Sequence, residues 1–120
     1  MRGLRGMKKS QLPPISEKIF TKQIVDLARW HGWLAFHPLT AMNKAGRYAT
    51  FTQGDVGYPD LTMTRDGRLI FAELKAENGV TSVMQDDWLR RLRSCEALTT
   101  PVRVYLWRPS DWDEIEKVLK

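Results

Sequence analysis

Asp60, Glu73 and Lys75 are the residues of this chain whose types and spacing could do chemistry. They lie in "GYPDLTMTRDGRLIFAELK", residues 57–75, which reads as two short strands joined at Asp66-Gly67. Asp-Gly favours a two-residue hairpin loop, because both of its positions need positive φ. With that loop, Arg65 pairs with Arg68, and Asp60 falls directly opposite Glu73. Counted outward from the loop this is a non-hydrogen-bonded pair, with Cβ atoms about 4.5–5.5 Å apart on one face. Lys75 alternates onto the same face. Two carboxylates so placed repel each other, and a divalent cation relieves the repulsion. Mg²⁺ takes oxygen ligands and is commonly held by one or two carboxylates. One reading is therefore a metal held by Asp60 and Glu73, with Lys75 beside it. Two alternatives stay open. A type I turn with a Gly bulge shifts the pairing by one residue and sends Glu73 to the other face. Or the acids are solvated strand ends, and Lys75 simply neutralises Glu73.

Glu17 and Gln85 are the other polar residues in unexpected places. Ser16 is an N-cap for a helix over residues 17–31, with Gly32 as its stop and Phe20, Ile24, Leu27 and Ala28 as its apolar stripe. At about 100° per residue, Ile24 and Ala28 lie about 20° to either side of Glu17. Glu17 therefore falls within the stripe. Complementing the helix dipole explains its place in the first turn but not its direction. Gln85 lies on the inward stripe of a second helix, over residues 82–96, with Trp88, Leu89 and Leu92. Ser82-x-x-Gln85 also matches a capping box, and Gln85 could do both jobs.

The remaining elements must carry these residues. "WLAFH", residues 33–37, reads as a strand, and "RYATFT" within the aperiodic stretch 38–58 could form another. A connection that long in a compact domain is often functional or mobile. "PVRVYLW", residues 101–107, alternates as a strand does, and Ser110 caps a final helix that sets Trp112, Ile115 and Leu119 on the body. The order is helix, strand, hairpin, helix, strand, helix, which predicts an α/β or α+β sheet flanked by helices.

The 120 residues suit one domain, residues 15–120, preceded by a basic arm, residues 1–14, that ends at Pro13-Pro14. Of the net charge of +5, the first ten residues supply +4 through Arg2, Arg5, Lys8 and Lys9; the rest holds 15 basic and 14 acidic side chains. The arm suits phosphate attraction, as it would any solvated tail. No apolar run approaches the ~20 residues of a membrane span, and the start lacks the apolar middle of a signal peptide. The single cysteine, Cys95, excludes an internal disulfide and reads as a small hydrophobe packed on a helix. A cytoplasmic protein without membrane contact is the natural reading.

Taken together, Gly57-Tyr58-Pro59-Asp60-Leu61, Glu73-Leu74-Lys75 and Ser82-x-x-Gln85-x-x-Trp88-Leu89 resemble the PD-(D/E)xK nuclease superfamily. More narrowly, they resemble the small stand-alone VRR-NUC proteins of phages and bacteria. The helix "SEKIFTKQIVDLARWHGWLAFH" looks like that family's opening, so the resemblance covers roughly residues 16–108. It implies a restriction-endonuclease-like αβββαβ core with a central mixed sheet, and phosphodiester cleavage dependent on Mg²⁺ or Mn²⁺. Asp60 and Glu73 would be metal ligands, with the Leu74 carbonyl a third. Lys75 would orient or activate the attacking water. Glu17 would act as a further ligand or through water, and Gln85 would position Lys75 or the phosphate. His37 and Ser82 would be DNA contacts, and Lys8 and Lys9 of the arm and Lys44 and Arg47 of the variable loop are candidate contacts on their charge rather than on the resemblance. The expected substrate is branched DNA, such as a four-way junction, cut by a homodimer in which Trp30 and Trp33 could supply the apolar interface. The competing expectation is a non-catalytic nucleic-acid-binding module that kept the fold.

Overall fold

The computed structural model describes residues 14–39, 41–42, 48–49, 53–96 and 101–120. The arm with Lys8 and Lys9, and the loop positions Lys44 and Arg47, lie outside the described residues. The first helix, α1, runs Glu17–Trp30, and its Ser16 cap accepts the Ile19 N–H. Strands β1 (Leu34–Phe36), β2 (Ala41–Met42) and β3 (Tyr48–Ala49) follow, and β2 and β3 pair with each other in a two-stranded sheet. Then come β4 (Leu61–Arg65), β5 (Arg68–Leu74), the helix α2 (Val83–Arg93), β6 (Val102–Trp107) and a 3-10 turn, Pro109–Asp111, leading into α3 (Trp112–Leu119).

Four strands form a mixed sheet in the order β1-β4-β5-β6, in which β1, β4 and β5 are antiparallel neighbours and β5 and β6 run parallel. Parallel neighbours need a crossover, and α2 supplies it. The side chains of Leu61, Met63, Ile70, Ala72 and Leu74 alternate onto one face and meet Phe20, Ile24 and Ala28 of α1 and Ile115 and Leu119 of α3. That face is the core. The opposite face is covered by α2 on one half, where Tyr58 packs edge-on against both Phe71 and Trp88. On the other half, Leu34 and Phe36 of β1 remain 75% and 62% exposed. Among the described residues no helix is long and apolar enough to cross a membrane.

The hairpin forms with the expected register. Asp66 and Gly67 have φ of 49° and 78°, the pair of left-handed residues the two-residue loop requires, and the ladder runs from Arg65↔Arg68 to Leu61↔Ala72. The bulged alternative is not adopted. Three expectations fail. Cys95 is exposed in the turn beyond α2 rather than packed on it. Ser110 does not cap the last helix: it sits in the 3-10 turn, where its N–H donates to Glu77, and Asp111 takes the cap position. Trp33 is not a surface partner of Trp30, which is 84% exposed. Trp33 is only 3% exposed, and its indole N–H donates to the Leu119 carbonyl at 2.9 Å. Of the three residues expected on the inward face of α2, only Leu89 is fully buried.

Candidate functional site

One more step of the β4–β5 register beyond Leu61↔Ala72 sets Asp60 opposite Glu73. Asp60 lies just outside β4, and its Oδ2 accepts the Leu74 N–H at 2.8 Å. The hairpin thus holds one carboxylate by the backbone beside the other. Glu73 is 1% exposed; its Oε1 accepts from the Gln85 amide at 3.3 Å, while its Oε2 is buried without a partner. Burial first, and then the Asp60 carboxylate beside it, push the Glu73 carboxyl up from 4.5 to about 9.

Gln85 does both jobs open to it. Its Oε1 accepts the Ser82 N–H at 2.9 Å, while the Ser82 hydroxyl accepts the Gln85 N–H at 3.1 Å, which completes the capping box. Its Nε2 remains free to reach Glu73. The first turn of α2 is itself fixed from outside. Gly57, at φ 96°, lies so close to it that a Cβ there would sit 2.7 Å from the Met84 backbone carbon. The Trp88 indole donates to the Val56 carbonyl at 3.0 Å. So the Gly-Tyr-Pro-Asp segment and the Ser-x-x-Gln-x-x-Trp helix are two sides of one joint. Glycine stands at position 57 because no side chain fits there.

Glu17 reaches the same place from α1. It is exposed as a residue and not part of the core stripe, where Thr21 stands instead, its hydroxyl bonded to the Glu17 carbonyl at 2.8 Å. Partial burial first, and then the Asp60 charge, raise its carboxyl; Lys75 and His37 pull it back. Lys75 also lowers Glu73, yet among the described residues it forms no direct ion pair with either acid. The reading in which it simply neutralises Glu73 therefore has no contact to rest on. His37 takes a role the sequence did not suggest. Its Nδ1 lies 2.8 Å from the Asp60 carbonyl, and since a carbonyl only accepts, Nδ1 carries the hydrogen. The ring pins the backbone of Asp60, and in the neutral imidazole Nε2 keeps its lone pair.

The structure therefore brings together Glu17, Asp60, Glu73, Gln85 and His37, with Lys75 near enough to act on two of the acids. Ser82 stands at the head of α2 as its cap. Leu74 takes part through its N–H. Among the described residues no three His, Cys, Asp or Glu side chains converge on a common point for an ion. Two carboxylates, one with an orphaned buried oxygen, fit a hard cation that keeps most of its water. They do not fit a fully protein-ligated metal. Missed from the sequence were His37 as a positioning group and Gly57 as a contact; a positive φ cannot be read from a lone glycine. Comparison with protein-family models, with curated proteins and with solved structures gives no match.

Proposed function

We propose that the chain is a metal-dependent DNA endonuclease of the PD-(D/E)xK kind, similar to the small VRR-NUC nucleases. Its cofactor would be Mg²⁺ or Mn²⁺, its substrate branched DNA, and its compartment the cytoplasm. The observation that carries the reading is the pairing of Asp60 with Glu73 around a buried carboxylate oxygen that has no partner. The order α1-β1-β4-β5-α2-β6 and the joint between Gly57 and α2 support it.

Asp60 and Glu73 would hold the ion, with the Leu74 carbonyl as a further ligand. When bound, the ion offsets charge on the phosphate oxygens and lowers the pKa of water, which supplies a nucleophile near neutral pH. The chain's own residues do the rest. Gln85 keeps Glu73 turned toward Asp60, and His37 keeps the Asp60 backbone in place. Lys75 offsets the negative charge that develops on the phosphate. Glu17, at the accessible edge, hydrogen-bonds the water that attacks. Hydrolysis leaves a phosphate on one strand end and a hydroxyl on the other. His37 and Ser82 are available to the DNA from the site itself, and Lys8, Lys9, Lys44 and Arg47 add contacts from the arm and loop. One site cuts one strand, so symmetric cleavage of a four-way junction needs a two-fold pair of chains. Trp30, Leu34 and Phe36 are exposed apolar side chains that could face such a partner.

Duplex, nicked, flap and four-way-junction DNA incubated with Mg²⁺, Mn²⁺ or EDTA test the reading directly. Cleavage with either metal, lost in EDTA and in Asp60→Asn, is the expected result. Binding without cleavage under every condition would replace the nuclease with the non-catalytic module.

A further inference from the structure

Glu17, Asp60 and Gln85 line a groove of about 980 Å³ that extends along α1. Beyond Glu17 its wall carries Lys18 and Lys22, its floor is Val25 of α1 and Ala35 of β1, and Pro38 and Leu39 form the far rim. Val25 and Ala35 are half-buried against the core, so the floor is fixed. Leu39 is 81% exposed, an apolar side chain held out to solvent at the edge of the groove. This half of the groove has no part in holding an ion or cleaving a phosphate.

We propose that this groove holds unpaired nucleotides of the DNA strand next to the cleaved phosphate; the proposal rests on the nuclease reading above. Lys18 and Lys22 stand four residues apart on one helix and so project side by side. They present two cations to a phosphate backbone, while Val25, Ala35, Pro38 and Leu39 present apolar surface to the faces of bases. A paired base hides its faces within the stack, so only an unpaired strand can use such a floor. The volume is of the size that holds small molecules, with room for unpaired nucleotides. Charge complementarity is local. Asp55 lines the opposite loop, and Lys22 already pairs with Asp26 at 2.6 Å. That pair is exposed on both sides and worth little, so a phosphate can displace Asp26. Glu17 and Asp60 line the same groove, so a strand lying in it brings its next phosphate to Asp60, beside Glu73. The substrate class this selects is DNA with an unpaired segment at the cut.

Fluorescence anisotropy in EDTA separates binding from cleavage. The full chain is titrated with a blunt duplex, the same duplex with a single-stranded tail, and the tail strand alone. The expected result is tighter binding to the tailed duplex and the single strand than to the blunt duplex. Lys18→Ala with Lys22→Ala should flatten the dependence of log affinity on log salt for the single strand by about 1.4. Leu39→Asp should erase the preference for the tail without weakening blunt-duplex binding. All three side chains are exposed, so the variants should melt as the parent does. An unchanged salt slope, or equal affinity of the parent for tailed and blunt DNA, overturns the groove assignment. A chain that cuts blunt duplex with no tail preference overturns the groove and leaves the nuclease standing. One that binds no DNA overturns both.

Discussion

The β4–β5 hairpin sets like charges opposite each other at both of its ends, and the two ends resolve the conflict differently. At the turn, Arg65 faces Arg68. Both guanidinium groups lie over the Trp33 ring, 4.6 and 4.9 Å from its centre. Arg65 donates to the carbonyls of His31, Leu119 and Lys120, and Arg68 to that of Val118. These are terminal carbonyls of α1 and α3, the partial negative charges that a cation suits best. The one buried nitrogen left over, Arg65 Nε, lies 3.7 Å from the Asp66 carboxylate. At the open end Asp60 faces Glu73, and the partners offered are a single backbone N–H and a single amide. One carboxylate oxygen is left with none. Repulsion met by many partners serves the fold. Repulsion left half-met leaves room for something the chain does not itself contain.

The largest expected effect separates the two ends by exchanging their readouts. Glu73→Gln should lower cleavage by about 10²–10³-fold and leave the fold intact. Arg65→Met should destabilise the protein by about 3 kcal/mol, since charged donors to carbonyls are lost, and leave the cleavage rate of the folded protein unchanged. Urea melts and single-turnover rates on both variants check this. If Arg65→Met lost cleavage while folded, the contrast between the ends would fail. Next in size is Gln85→Ala, which should slow turnover about ten-fold or more, as loss of a group that orients a ligand does. The lost cap should cost only about 1 kcal/mol. Equal stability loss with normal turnover would reduce Gln85 to a helix cap.

The smallest effect concerns pH. Glu73 keeps its proton to about 9 in the folded chain and loses it near 4.5 when unfolded. Between those values the folded state binds more protons than the unfolded one, so stability falls as pH rises. The metal-free melting temperature should therefore drop between pH 5 and pH 9. Glu73→Gln should flatten that drop, and Mg²⁺ should oppose it at the alkaline end. Calorimetry in EDTA at a series of pH values gives the slope; a melting temperature that rises with pH would contradict the raised Glu73 carboxyl.

The same contrast explains what could be read from the sequence. Local rules govern the hairpin, so Asp66-Gly67 narrows the register to two choices, one of which, the one adopted, brings Asp60 to Glu73. The capping box and the inward direction of Gln85 are local as well. The partners of Arg65 and Arg68 are not, since they are carbonyls of helix ends distant along the chain, and no side-chain pattern encodes them. Trp33 looked like half of a surface pair because its spacing to Trp30 is visible while the α3 carbonyl that takes its N–H is not. Glu17 projects to the site rather than into the stripe because the first turn of a helix has no preceding turn to bury it. His37 was a lone histidine until β1 and β4 set it beside the Asp60 carbonyl.

The joint between Gly57 and α2 also bears on the order in which the molecule comes together. The two acids are 13 positions apart and meet once the hairpin closes, an event of microseconds. Val56 and Trp88 are 32 apart, and α1 is farther still from Asp60 along the chain. Contacts of that separation must overcome more loop entropy and form later. A nascent or partly unfolded chain therefore carries paired acids without Gln85 or Glu17 beside them. Competence arrives only with the last long-range contact, so an amide at the start of α2 should lose hydrogen-exchange protection before those of the β4–β5 ladder, and activity with it. On the nuclease reading proposed above, a half-made chain would in this way be kept from cutting DNA until it is whole.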